Sequence, residues 1–247
     1  KIASESLWRK PLLWNKRAAD NGVRERVFCA SMADVFEDYQ GPDAARVMEA
    51  RERLWSLIEA TTSLDWLLLT KRPQNVMNMV PVRWYERVVP SATPGDHGSP
   101  YLGVWAPDRW PANVWIGCTV ENQDQARERL PHLLKVPSKV RFVSYEPALE
   151  AVDFAKWLWP VRFIDWLIVG GESGTGARPF NPAWAAQVVE QCKAAQTPVF
   201  VKQFGSNPTL RSGSGWGPVT GTGDNPDEWP AQLRLRQFPE SAARVGR

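Results

Sequence analysis

The most informative segment of the chain runs Asp165-Trp166-Leu167-Ile168-Val169-Gly170-Gly171-Glu172-Ser173-Gly174. Four apolar residues follow an aspartate and lead directly into glycines and polar side chains. A short apolar run of this kind is typical of a strand that is buried on both faces of a parallel sheet. The same pattern occurs earlier as Asp65-Trp66-Leu67-Leu68-Leu69-Thr70-Lys71-Arg72-Pro73. We therefore expect a repeated unit in which a buried strand ends in a polar loop.

Six segments of the chain fit this unit, and helical patterns separate several of them. The predicted strands cover residues 26–30, 66–69, 114–117, 140–143, 166–169 and 199–201. Apolar side chains at helical spacing predict helices at 43–60, at 121–134 and from 181 to about 195. Asn181 is the expected N-cap of the last helix, with Pro182 in its first turn. Pro131 is expected to bend or break the second helix.

Strands that alternate with helices favour parallel βαβ units. The predicted fold is therefore an α/β, partial TIM-type (β/α)6 barrel of parallel strands. We expect a single domain over residues 1–247, because a hydrophobic content of 43% provides a sizeable core. Two regions do not follow the repeat. Residues 80–112 are predicted to be a loop insertion with a mobile surface part at 91–98, and residues 205–247 an irregular C-terminal segment.

The composition argues against several classes of site. His97 and His132 are the only histidines, which disfavours a Ser-His-Asp or Cys-His nucleophile and a histidine-rich metal site. The three cysteines, Cys29, Cys118 and Cys192, form no CxxC pair and predict no metal site within this chain. Scarce cysteine, the absence of a long apolar run and the absence of a secretory signal predict a cytoplasmic protein without a membrane partner.

Tryptophan and net charge are the remaining unusual features. Most of the 14 tryptophans are expected in the core, with a minority available for stacking on nucleic-acid bases. The formal net charge of +3 permits contact with a phosphate backbone but does not by itself indicate one.

Polar residues follow each of the six predicted strands. In parallel α/β barrels, the loops at the carboxyl ends of the strands carry the functional groups. The candidates are Ser31, Asp34, Thr70, Lys71, Arg72, Glu121, Ser144, Glu146, Gly170, Gly171, Glu172, Lys202 and Gln203. We expect these groups to converge on one mouth, where four carboxylates face three cations. The alternative is that they only cap helices and turns, with Lys71 and Arg72 in ordinary ion pairs.

Several of these motifs together resemble one known family. They are VFCASMADVFE (27–37), DWLLLTKRP (65–73), NVWIGCTVENQ (113–123), RFVSYEPALE (141–150), DWLIVGGESGTGARP (165–179), PVFVKQFG (198–205) and GDNPDEWP (223–230). Over nearly its whole length the chain resembles uncharacterised phage and prophage proteins with an N-terminal three-cysteine motif. That family is similar to radical S-adenosylmethionine enzymes and, more distantly, to photoproduct-lyase-type repair proteins.

The resemblance implies a radical-SAM-like barrel with a [4Fe-4S] cluster near its mouth and S-adenosylmethionine bound to the fourth iron. Cleavage of that cofactor would give a 5′-deoxyadenosyl radical that abstracts a hydrogen from an unknown substrate. The three cluster cysteines are expected upstream of the matching part, because Cys29 and Cys118 lie in predicted strands. We expect either that the cluster segment is missing from this chain, which the start at Lys1 without methionine favours, or that this member has lost radical chemistry.

Within the radical S-adenosylmethionine hypothesis, the positions of the candidate residues at strand ends suggest their roles. Cofactor binding is expected from Gly170, Gly171, Glu172, Ser144, Glu146, Ser31 and Asp34. Substrate binding, or contact with a cofactor carboxylate, is expected from Thr70, Lys71, Arg72, Glu121, Lys202 and Gln203. Two alternatives stay open at this point: a nucleic-acid-binding or processing phage protein without radical chemistry, and a non-catalytic barrel scaffold.

Overall fold

The computed structural model describes residues 2–30, 33–90, 101–209 and 219–240, with the backbone alone at 88–90 and 101–103. Within these ranges the strands, in chain order, are β1 (Glu25–Cys29), β2 (Leu64–Thr70), β3 (Glu86–Pro90), β4 (Tyr101–Trp105), β5 (Val114–Thr119), β6 (Arg141–Tyr145), β7 (Trp166–Gly170) and β8 (Val199–Gln203). The six predicted strands are therefore all present. Most of them extend one or two residues beyond the predicted ends.

Six of these strands form one parallel sheet in the order β1-β2-β5-β6-β7-β8. Within this sheet, strands that are consecutive in the chain are also neighbours in space, as successive βαβ units require. The two outer strands, β1 and β8, do not pair with each other, so the sheet is an open half barrel. The predicted α/β, TIM-like partial barrel is confirmed.

The helices of the described residues are α1 (Glu5–Asp20), α2 (Ala44–Ala60), α3 (Val76–Met79), α4 (Gln123–Leu133), α5 (Ala155–Leu158) and α6 (Pro182–Ala194). The predicted start of α6 is confirmed, because the Asn181 side chain accepts a hydrogen bond from the Ala183 amide at 3.0 Å. Pro131 lies within the last turn of α4 and does not end it. The proline has no amide to donate to the Arg127 carbonyl, so the helix continues to Leu133 with one hydrogen bond of its ladder missing.

Two layers of apolar side chains enclose the sheet. On its outer face, Leu68, Ile116 and Leu167 join the main core that the helices cover. On its inner face, Leu67, Trp115, Phe142, Trp166 and Ile168 form a second, smaller cluster. Eight of the 14 tryptophans are buried, which confirms the expected core role for most of them.

Part of the predicted irregular C-terminal segment pairs with the sheet. The Val201 amide donates to the Leu235 carbonyl and the Gln237 amide to the Val199 carbonyl, so residues 235–237 run antiparallel beside β8. The Arg26 guanidinium of β1 then lies 4.4 Å from the centre of the Phe238 ring. At its amino end, the gap between β1 and β8 is thus bridged by a cation–π contact.

The prediction for residues 80–112 needs correction, and one helix was not predicted. The segment 80–112 is not only loop, because β3 and β4 form an antiparallel pair within it, from Glu86 opposite Trp105 to Pro90 opposite Tyr101. Residues 91–98 lie outside the described residues. The sequence also gave no indication of α1, although this helix packs against β1, β2 and α2. None of the helices in the described part of the chain combines the length and apolar character needed to cross a lipid bilayer.

Candidate functional site

The polar residues after the six strands meet along the carboxyl edge of the half barrel. All six strands point the same way, so their loops leave from the same edge. Three groups of ion pairs join side chains from different loops there, and a fourth pair lies within the loop after β7. The site therefore forms a row of paired charges.

Asp34 joins the loop after β1 to the loop after β2. One carboxylate oxygen accepts hydrogen bonds from the Thr70 hydroxyl, the Lys71 amide and the Arg72 guanidinium, each at 3.0 Å. The other accepts the Phe36 amide at 2.9 Å. The Thr70 oxygen in turn accepts the Arg72 amide at 2.8 Å. The hydrogen bonds of Asp34 and Thr70 are thus made within the protein, where they set the geometry of the two loops.

Glu121 lies between two cations in the middle of the row. One carboxylate oxygen is 2.7 Å from the Lys71 ammonium, and the other is 2.8 Å from the Arg129 guanidinium. Arg129 belongs to α4 and also donates to the Thr119 carbonyl at 2.8 Å. The Glu121 and Arg129 side chains are only 11% and 14% exposed, whereas Lys71 is 55% exposed. Lys71 is therefore the member that faces solvent.

Ser144, Glu146 and Lys202 form what we call the Glu146 cluster. The Ser144 hydroxyl donates to one Glu146 oxygen at 3.0 Å, and the Lys202 ammonium lies 3.1 Å from the other. Glu146 is 15% exposed and Lys202 is 52% exposed. A Cβ at Gly170 would lie 2.8 Å from the Glu146 carboxylate, so a larger residue there would displace the carboxylate from its present position.

An apolar floor lies below the Glu146 cluster on the inner face of the sheet. Ser144 follows Phe142 by two residues and Lys202 follows Phe200 by two, so each pair shares that face. The floor consists of Phe28, Leu69, Phe142, Ile168 and Phe200. Phe28 is 44% exposed, which leaves the β1 side of this surface open to solvent.

Glu172 forms the fourth ion pair of the row. Its carboxylate accepts two hydrogen bonds from the Arg178 guanidinium, at 2.8 and 3.0 Å, and one from the Arg178 amide at 3.0 Å. The hydrogen bond from the Arg178 side chain is the main cause that lowers the pKa of Glu172 to about 2. Glu172 is therefore an anion whose acceptor positions are largely occupied.

The Gly171 and Gln203 positions are explained by the packing of β7 against β8. A Cβ at Gly171 would collide with the carbonyl oxygen of Phe204. The Gln203 side chain donates to the Gly171 carbonyl and to the Ser173 hydroxyl, both at 3.0 Å. The close approach of these two backbone segments explains why a glycine occupies position 171. The contact of Gly171 with a ligand stays a prediction.

The cysteines are distributed over three separate elements. Cys29 lies on β1, Cys118 on β5 and Cys192 on α6. Burial raises the pKa of the Cys29 and Cys192 thiols to about 12, and it also raises that of Cys118. Buried thiols with raised pKa values make poor metal ligands, because the thiolate is the binding form. Among the residues described, no group of three or more His, Cys, Asp or Glu side chains could hold a metal ion.

Sequence reasoning placed most of the row correctly and missed several of its partners. Asp34, Thr70, Arg72, Lys71, Glu121, Ser144, Glu146, Gly170, Gly171, Glu172, Lys202 and Gln203 all lie along the same edge, while Ser31 is outside the described residues. Arg129, Arg178 and the apolar floor were missed. Arg178 follows Glu172 by six residues in the quoted motif, which was a usable signal. Arg129 lies on the polar side of helix α4, and nothing in the sequence signalled that it belongs to the row.

Comparison with protein families identifies the group to which the chain belongs. Residues 1–229 match the family described as "Protein of unknown function (DUF5131)". The chain belongs to the DUF5131 family. The matched range includes every residue of the row at the carboxyl edge, so the site lies within the part that defines the DUF5131 family.

Comparisons with curated proteins and with solved structures give no further evidence about the family of the chain. Among curated proteins, none matches this DUF5131 chain. One solved structure, the endo-beta-1,4-mannanase from Thermotoga petrophila, aligns with 77% of the chain at 8% sequence identity and a TM-score of 0.37. The aligned part spans 56% of the mannanase chain.

Proposed function

We propose that this chain is the barrel domain of a radical S-adenosylmethionine-type enzyme of phage or prophage origin. In this proposal the Glu146 cluster and the apolar floor hold the cofactor. The observation that carries it is the placement of one carboxylate, one ammonium and one hydroxyl above an apolar surface that is exposed at Phe28, at the carboxyl edge of a half barrel. Support for the class itself comes from the sequence resemblance.

The donor set of the Glu146 cluster fits the polar groups of S-adenosylmethionine. Glu146 can accept hydrogen bonds from the cofactor's ammonium, and Lys202 can pair with its carboxylate. Ser144 can exchange hydrogen bonds with a hydroxyl, and the exposed parts of Phe28, Leu69 and Phe200 can pack against the adenine ring. Before binding, Lys202 and Glu146 neutralise each other, so the site carries no unpaired buried charge.

The [4Fe-4S] cluster does not fit the residues of this chain. The three cysteines of the chain lie on separate elements, and burial raises the pKa values of their thiols. The proposal therefore assigns the cluster no ligand among these 247 residues and requires cysteines from outside the chain.

The first test is anaerobic reconstitution of the complete gene product with iron and sulfide. Absorbance and electron spin resonance of the reduced protein are then recorded with and without S-adenosylmethionine. We expect a reduced-cluster signal that changes when the cofactor is added. A complete gene product that assembles no cluster, or whose cluster signal ignores S-adenosylmethionine, would remove the radical class.

A second test addresses the Glu146 cluster itself. In the reconstituted protein, Lys202→Met should raise the S-adenosylmethionine concentration for the half-maximal spectral change about tenfold, because one charge-assisted contact is lost. Lys193→Met is the matched control, since Lys193 is 50% exposed and pairs with Glu190 at 2.8 Å on the outer helix α6. Equal effects of the two substitutions would contradict the placement of the cofactor.

A further inference from the structure

The two edges of the parallel sheet have different surroundings. Beside β8, the Val201 amide donates to the Leu235 carbonyl at 2.8 Å, and the Gln237 amide donates to the Val199 carbonyl at 3.0 Å. Within the described residues, no segment pairs in this way with the side of β1 that faces away from β2. The edge of β8 is therefore covered, whereas the edge of β1 is open.

The open edge of β1 presents backbone groups that lack a partner. The Glu25 amide donates to the Ser63 carbonyl at 3.2 Å, so alternate residues from Glu25 onward bond to β2. The residues between them, Arg26 and Phe28, direct their amide and carbonyl groups to the opposite side. In the part of the chain that the structure describes, these groups make no hydrogen bond. A free edge of this kind can accept a further strand.

Phe28 is also uncovered on the inner face of the sheet. Its side chain is 44% exposed, whereas that of Leu67, its partner on β2, is 4% exposed. The cation–π contact between Arg26 and the Phe238 ring lies on this inner face, because the ring also packs against Trp166. That contact uses side chains only and leaves the backbone edge of β1 open. The inner apolar surface therefore ends at the open edge.

Helix α1 carries an uncovered apolar residue on the outside of the sheet. Trp8 contacts α2, and the Asn15 side chain accepts the Ser63 amide just before β2 at 2.8 Å, so this flank of α1 faces α2 and β2. Leu7 lies on the other flank, about 100° from Trp8. It is only about 40° from the buried Pro11. Leu7 is nevertheless 47% exposed, so α1 is incompletely covered on the flank away from α2.

The order of elements along the chain indicates what fits beside β1. Each of the other five strands of the sheet follows a helix, and that helix follows the neighbouring parallel strand, as in β5-α4-β6 and β7-α6-β8. Helix α1 has the same relation to β1, since it precedes β1 and packs against it. Such crossovers are right-handed, and those of this sheet all advance from β1 toward β8. A strand joined to β1 through α1 would accordingly lie parallel to β1 at its open edge.

We propose that a strand from the segment that precedes α1 in the complete gene product pairs in parallel with β1. Its backbone bonds to the free groups of Arg26 and Phe28, and its side chains pack beside Phe28 on one face and Leu7 on the other. Because both faces are covered, the strand is a run of about five mainly apolar residues. The proposal rests on the function proposed above only in requiring chain before Lys1, as the cluster also does.

Amide hydrogen exchange, resolved by residue with nuclear magnetic resonance, tests this proposal without added iron. In the complete gene product, the Arg26 and Phe28 amides should exchange at least about tenfold more slowly than in the chain that starts at Lys1, because each gains a hydrogen bond. The Val27 and Cys29 amides bond to β2 in both proteins. They are the internal control, and their exchange rates should differ by less than about twofold.

Proline substitutions on β1 give a second measurement. Arg26→Pro removes an amide that faces the open edge, whereas Val27→Pro removes one that bonds to β2. Proline is tolerated on an edge strand where the lost amide faces solvent. The urea midpoint of Arg26→Pro, compared with that of Arg26→Ala, should therefore fall further in the complete gene product than in the chain that starts at Lys1. Val27→Pro should lower the midpoint of both proteins.

Three results would overturn the proposal. Arg26 and Phe28 amides that exchange equally fast in both proteins would leave the edge without a strand, whether or not a cluster assembles. Nuclear Overhauser contacts that assign the protecting strand to another part of the chain would give the edge to a different occupant. Protection that rises with protein concentration as a dimer forms would give it to a second copy. Protected amides in a complete gene product that assembles no cluster would support the strand and remove only the radical class.

Discussion

The two ends of the half barrel use the same kinds of residue in different surroundings. At the carboxyl end, Glu121 and Glu146 pair with cations from other elements and Glu172 pairs with Arg178 of its own loop, and most of those cations are half exposed. At the amino end, Asp65 is 1% exposed and holds the Arg24 guanidinium at 2.6 and 2.9 Å. Asp165 there accepts the Arg141 amide at 2.9 Å, and burial raises its pKa.

This difference predicts that the amino end contributes more to stability than the carboxyl end does. The amino-end aspartates hold the start of a neighbouring strand, and tryptophans such as Trp66 and Trp166 are buried beside them. The carboxyl-end carboxylates hold side chains that can move to a ligand without uncovering the core. A groove of about 730 Å³ does lie at the amino end, between Lys139, Thr197 and Phe238, but it contains none of the residues of the charged row.

The largest expected effect is at the amino end. Asp65→Ala should lower the free energy of unfolding by about 3 kcal/mol, because it leaves the partly buried Arg24 guanidinium without its partner. Urea denaturation followed by tryptophan fluorescence measures this loss. The control is Glu190→Ala, which removes an exposed pair on α6 and should cost about 0.5 kcal/mol or less. Similar losses in both variants would contradict the contrast between the two ends.

Glu121 is expected to be the exception at the carboxyl end. Its pair with Arg129 is almost as buried as that of Asp65, so Glu121→Gln should cost about 2 kcal/mol in urea denaturation. The double variant Glu121→Gln/Arg129→Met should recover part of this loss, because the unpaired guanidinium is removed with its partner. A double variant less stable than Glu121→Gln alone would show that Arg129 acts through other contacts.

Glu172 should give the smallest effect, visible only through its pH dependence. Folding lowers the pKa of this carboxyl from 4.5 to about 2, mainly through the Arg178 hydrogen bond. The pair's contribution to stability is thus complete above about pH 4.5 and is lost as the pH falls toward 2. The difference in urea midpoint between the unsubstituted chain and Glu172→Gln should therefore shrink over this range. A difference that stays constant with pH would assign the effect to packing.

Much of this architecture was predictable because it depends on local patterns. The buried strand Trp166-Leu167-Ile168-Val169 could be predicted since strands covered on both faces need continuous apolar runs. The N-cap Asn181 could be predicted because an asparagine side chain accepts a hydrogen bond from an amide in the first turn, which has no partner within the helix. Helix α1 was missed because its exposed leucines and interior Pro11 weaken the amphipathic pattern.

The sequence by itself determined the strands, their order along the chain and the polar loop that follows each of them. A parallel sheet then requires those loops to share one edge, so the location of the site also followed. Only the tertiary structure decided which charges pair across elements, since Arg129 reaches Glu121 from α4 and Lys202 reaches Glu146 from β8. The tertiary structure likewise decided that Gly171 accommodates the Phe204 carbonyl, because the distance between two strand ends is set by packing and is not encoded in either one.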